Sequence, residues 1–189
     1  MKSLLLGIFA LTVLAQWVVP LFAVRQHERV LAEGELIRLK CTAPDPYDPL
    51  RGRYLAVRPE ITEASAGEGV KSYRGPAYAV LEVGADGIAT VSRIERERPA
   101  SGRVVRVKVF WTTGDKVRFA WPFDRYYLNE KFAPEADRWL AESLRSAKGV
   151  LAEVRVLDGR AVLADLTFDG RSFREHLRER LDKPERAEP

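Results

Sequence analysis

The sequence predicts an α+β protein, mainly antiparallel β, built as a curved sheet or small barrel with one packed helix and preceded by an N-terminal transmembrane helix. Three observations predict it. Residues Leu4–Val24 carry no charge and are apolar apart from Thr12 and Gln16. At about 1.5 Å per residue that run is about 31 Å long as a helix, matching a hydrocarbon core of ~30 Å. Beyond it, apolar residues recur with period two in paired runs separated by turn residues, the pattern of hairpins with one buried face. One later stretch, Pro134–Lys148, instead has apolar residues at helical spacing.

The N-terminal run is bounded by Lys2 and Arg25. Trp17 suits a membrane interface, and Pro20 marks a kink or the fraying end. A cleaved signal peptide is the rival reading, with Val13-Leu14-Ala15 at the cleavage positions. The apolar run continues well past Ala15, so a retained signal-anchor is preferred. Residues 1–30 are then anchor and charged stalk, 31–182 a β-rich globular domain and 183–189 a disordered tail. Lys2 and the amino terminus balance Arg25 and Arg29 across the segment. The short leader and long following chain favour a single-pass protein of the inner membrane with its C-terminal domain extracytoplasmic, or periplasmic. Membrane lipid is the expected partner of residues 4–24.

In the domain, Glu35, Arg38 and Lys40 interleave with Leu36, Ile37 and Leu39 as a strand. Asp45–Ile61 follows, with a proline-rich turn, the Arg51-Gly52 step and a short extended segment containing Tyr54 and Val57. Thr62–Gly75, rich in Gly, Ser and Glu, reads as a mobile loop. Ala77–Val83 and Ile88–Ile94 flank Gly84-Ala85-Asp86-Gly87 as a hairpin. Arg93–Arg98 alternates in charge and suits a solvated strand end. Val105, Val107, Val109 and Trp111 share one face, and Val117, Phe119 and Trp121 continue it after a Gly114-Asp115 turn. Both tryptophans are therefore expected in the core, with Lys108 outward. Asp158-Gly159 joins another alternating pair of runs. The tail from Arg171 reads as a short exposed helix.

Composition narrows the chemistry. The 189 residues are 46% hydrophobic and 31% charged, with net charge +4. The charges are mixed rather than clustered, which argues against nucleic acid. An oligonucleotide-binding barrel, suggested by the aromatic and basic residues of 118–127, is a minor alternative. The single cysteine, Cys41, excludes an internal disulfide. It is read as a small apolar strand residue, because neither His27 nor His176 is placed to activate it. No metal and no cofactor are expected. Asp45 and Asp48 supply too few oxygens for calcium, and Gly67 and Gly69 lack the lysine and helix of a phosphate loop.

The turn Asp45-Pro46-Tyr47-Asp48 with Arg51, Gly52 and Tyr54 resembles the signature of the GDYXXLXY family of membrane-anchored bacterial proteins of unknown function. Arg53, Val57 and Pro59 depart from the named pattern. Arg125-Tyr126-Tyr127-Leu128-Asn129-Glu130 is similar to a second family segment, with Asn129 in place of proline. Asp158–Ala161 to Asp169-Gly170 fits the family's closing hairpin. The resemblance supplies no activity but implies a polytopic membrane protein as partner; the function expected of the chain is that of a non-catalytic, membrane-tethered accessory or binding protein.

The candidate binding positions are Asp45, Asp48, Arg51, Gly52, Tyr54, Arg125, Tyr126 and Tyr127. The two arginine-tyrosine segments are expected to lie together, with one of Tyr126 and Tyr127 packed inward and the other outward. A shared core or turn-locking role is preferred to a binding role, the arginines pairing with Asp48 and Asp124. No catalytic residue is assigned. The alternative function is an envelope hydrolase similar in topology to type I signal peptidases, whose mechanism needs a serine just past the anchor and a lysine base. Val30–Cys41 contains no serine, and Ser65 and Ser72 fall in the expected loop.

Overall fold

The computed structural model describes residues 2–42, 54–127, 149–168 and 170–182. The Asp45, Asp48, Arg51 and Gly52 positions, the Pro134–Lys148 helix and the 183–189 tail lie outside the described residues.

Helix α1 runs from Lys2 to Glu33. It does not end at Pro20, which lies inside it. The charged residues after Val24 continue it, helped by an Arg29–Glu33 ion pair one turn apart at 2.9 Å. Its apolar stretch is unburied, and α1 is long and apolar enough to cross a membrane. Only its last turns meet the domain. Val30 is buried, and Arg155 Nη1 donates to the Gly34 carbonyl at 2.9 Å. Gly34 is the step from helix to strand. A Cβ there would collide with the Val30 carbonyl and stand 3.0 Å from the Val156 nitrogen.

Five strands form a closed barrel in the order β4 (Glu63–Ala66), β6 (Ala89–Glu95), β5 (Gly75–Val83), β7 (Arg103–Thr113) and β8 (Lys116–Ala120). The hairpins expected at 84–87 and 114–115 are present. The loop expected over Thr62–Gly75 is not a plain loop, because β4 lies within it and closes the barrel. Glu-Ala-Ser-Ala is a weak strand former on its own. It is held from both sides, antiparallel to β8 and parallel to β6, and Arg118 Nη2 reaches Glu63 Oε1 at 2.7 Å. Val70, in the same segment, is fully buried.

One tryptophan also departs from expectation. Val105, Val107, Val109, Val117 and Phe119 face inward, but the β7–β8 register shifts between Val109 and Trp111. That bulge at Phe110 resets the alternation. Trp111 is therefore 48% exposed, whereas Trp121 is 8% exposed and donates Nε1–H to the Ile61 carbonyl at 2.8 Å.

A second sheet has the order β12 (Arg171–Ser172), β11 (Arg160–Phe168), β10 (Val150–Leu157), β1 (Glu35–Thr42) and β3 (Arg58–Pro59). The β10–β11 turn places Asp158 and Gly159 at φ 53° and 79°, the two positive values a tight hairpin of the I′ type requires. Tyr54–Ala56 (β2) and Arg125–Tyr127 (β9) form a separate two-stranded ribbon. Helix α2, Phe173–Asp182, follows β12. It is less exposed than expected, since its first residue, Phe173, is fully buried against Phe168 with ring centroids 5.1 Å apart. Ile37, Leu39 and Leu166 of the sheet share one apolar core with Ala77, Ile94 and Val105 of the barrel.

Candidate functional site

Tyr54, the one described residue of the first arginine-tyrosine segment, meets the second segment as backbone. In the β2–β9 ribbon Tyr54 lies opposite Tyr127, Leu55 opposite Tyr126 and Ala56 opposite Arg125. Just beyond it, the Val57 nitrogen donates to the Asp124 carbonyl at 2.8 Å. Period two then divides the tyrosines. Tyr126 is 7% exposed and Tyr127 is 72% exposed. Arg125 Nε lies 3.6 Å from Asp124 Oδ1.

Tyr126 reaches a polar clamp that joins three elements. Its hydroxyl donates to Asp165 Oδ1 on β11 at 3.1 Å. The same oxygen accepts the Leu166 N–H at 2.8 Å, and Asp165 Oδ2 accepts the Ser172 hydroxyl. Ser172 Oγ in turn accepts the Glu175 N–H at 3.2 Å and so caps α2. Arg174 crosses the clamp and donates to the Ala164 carbonyl at 3.1 Å. Burial pushes the Tyr126 phenol up from its ordinary range, the Asp165 carboxylate adds to the shift, and Arg174 opposes it. The ring of Tyr126 packs edge-on against Phe173 at 5.9 Å. The clamp was legible in part: Ser172-Phe173-Arg174-Glu175 is a capping box. Asp165, seven residues away on a strand, has no local signal.

Sequence reasoning missed a second feature, a cleft of about 530 Å³ between the foot of α1 and the domain. Its walls come from α1, β7, the chain just after β8 and the β10–β11 turn, including Gln26, His27, Arg106, Lys108, Trp121 and Arg160. The Arg106 N–H donates to the Gly159 carbonyl at 2.7 Å and fixes the turn against the barrel. No local pattern could announce a site gathered from five separate parts of the chain, Pro76 of β5 among them.

The nucleophile candidates are dispersed. Ser65 lies on β4 opposite Lys116 rather than in a loop, but Ser65 and Lys116 are exposed and do not line the cleft. Cys41 is half-buried on β1, and desolvation pushes its thiol up to about 12, away from nucleophilic thiolate character. Among the described residues, no three His, Cys, Asp or Glu side chains gather as metal ligands would.

The architecture thus defines a class: a β-barrel and sheet domain carried on a long, unburied apolar helix. Within that class the chain belongs to the GDYXXLXY protein family, whose sequence model matches residues 16–166. No curated protein and no solved structure matches it.

Proposed function

We propose that this chain is a non-catalytic, membrane-tethered binding or accessory protein, with α1 retained as its single-pass anchor in the inner membrane and its domain on the extracytoplasmic side. The observation that carries the reading is the continuity of α1. One helix passes through the alternative cleavage position at Ala15 and docks on the domain through Val30 and Gly34. Cleavage after Ala15 would discard most of the apolar run and leave an exposed apolar stub on a docked helix. Proteolysis also favours exposed loops over helical backbone.

The resemblance implies a polytopic membrane protein as partner. The ribbon that presents Tyr127 beside Arg125 offers the residue types enriched at protein interfaces.

Membrane fractionation with carbonate extraction, N-terminal sequencing and protease accessibility in spheroplasts test the reading together. The expected product stays with the membrane, keeps residues 2–24 and is digested from outside. A soluble product beginning at Gln16 overturns it.

A further inference from the structure

The cleft at the foot of α1 has the charge, the floor and the position of a lipid headgroup site. This inference rests on α1 being the retained anchor. With Leu4–Val24 filling the ~30 Å hydrocarbon core, the residues after Val24 fall in the headgroup layer. The cleft wall on α1 spans that boundary, from Ala23 through Gln26 and His27 to Val30.

The opposite walls bring Arg106, Lys108 and Arg160 to the same space, and no carboxylate lines it. Elsewhere on the domain, Arg38, Arg93, Arg98, Arg103 and Arg118 each face a carboxylate within an ion pair. Among the described residues, Arg106, Lys108 and Arg160 have none; Lys108 has the Phe110 ring 5.6 Å away. Arg58 and Lys116 also lack such a partner, but Arg106, Lys108 and Arg160 do so around one concave space, and that grouping favours an anion. Trp121, Pro122 and Val162 add apolar surface beside them, and the apolar face of α1 leading away from the cleft is exposed. An anion with an attached hydrocarbon part matches this mixture better than a free ion.

We infer that the cleft holds the phosphate of an anionic phospholipid, with the acyl chains lying along α1 and Arg106, Lys108 and Arg160 around the headgroup. Guanidinium groups suit this task because their forked donors match phosphate oxygens. Such a site would tie the domain to the membrane surface and fix its angle to the anchor.

The test uses the full chain, purified in detergent and titrated separately with phosphatidylglycerol, phosphatidylcholine and inorganic phosphate, with bound states counted by native mass spectrometry. Phosphatidylglycerol is expected to bind as one copy, at least ~10-fold tighter than phosphatidylcholine. A basic residue near an anionic surface contributes about fivefold. Arg160→Gln should therefore reduce the preference by about that factor, and Arg106→Gln/Lys108→Gln/Arg160→Gln should abolish it. These side chains are exposed, so the variants should fold, as circular dichroism would verify. A control, Lys71→Gln/Arg93→Gln/Lys116→Gln, loses as many charges outside the cleft and should keep the preference. Equal binding of the two lipids, equal loss in the control, or displacement of phosphatidylglycerol by inorganic phosphate at similar concentration would overturn the site. Carbonate extraction of the source membranes, before detergent is added, reports the anchor separately: a membrane-retained chain without lipid preference sinks the cleft alone, and a soluble chain sinks both readings.

Discussion

The barrel and the open sheet share one apolar core but solve the problem of strand edges differently. The barrel closes on itself through β4, so its backbone is paired all round and its stability rests on an apolar lumen. The sheet ends in β12 and β3, strands of two residues each, and edges so short offer little for another chain to pair with. Both described helices pack on the sheet, α1 against β10 and β11, and α2 against β11 and β12. The Tyr126–Asp165–Ser172 clamp is also there. Closure needs no covering element; an open sheet does, and one of its covering helices, α1, forms a wall of the cleft.

Four measurements would break or sharpen that contrast. If α2 holds the open end of the sheet, Phe173→Ala should have the largest effect. It removes a fully buried ring in contact with Phe168 and Tyr126, and urea unfolding should show a loss of ~3–5 kcal/mol. A loss below 1 kcal/mol would mean that α2 is not structural cover.

Asp165→Ala should come next, at on the order of 2 kcal/mol, because the hydroxyls of Tyr126 and Ser172 and the Leu166 N–H lose one shared acceptor. Thermal unfolding would read this, and near-neutral stability would remove the clamp from the account.

On the barrel side, the tryptophans should separate. Trp121→Phe leaves the Ile61 carbonyl without its indole donor and should cost about 1–1.5 kcal/mol. Trp111→Phe, at an exposed bulge position, should stay within about 0.5 kcal/mol. Equal costs would mean that the bulge does not turn Trp111 outward.

The last measurement concerns pH. The Cys41 thiol is raised to about 12 by burial, while an unfolded thiol ionises near pH 8.5, roughly. The folded state therefore holds its proton longer. Its contribution is complete below about pH 8.5 and declines as pH rises toward 12. The upward shift of Tyr126 has the same sign at higher pH. Unfolding midpoints followed from pH 8 to 11 should fall, and Cys41→Ala should flatten the early part of the slope. An unchanged slope would show that Cys41 is not protected.

What the sequence determined by itself is local and periodic. The uncharged length of Leu4–Val24 is enough for an apolar helix of membrane-spanning length. Alternation with Asp158-Gly159 specifies the β10–β11 hairpin, because two positive φ values and a buried alternate face leave few other conformations. Alternation also divides Tyr126 from Tyr127. The tertiary structure decided what depends on partners distant in sequence. β4 is a strand only because β6 and β8 supply its hydrogen bonds. Trp111 faces out because one extra residue shifts a register that composition does not encode. Asp165 becomes a clamp, and Arg106, Lys108 and Arg160 share one cleft, only when strands far apart in the chain are folded together. Side-chain periodicity propagates along a strand, whereas pairing, closure and electrostatic grouping are made between strands, and no local pattern carries them.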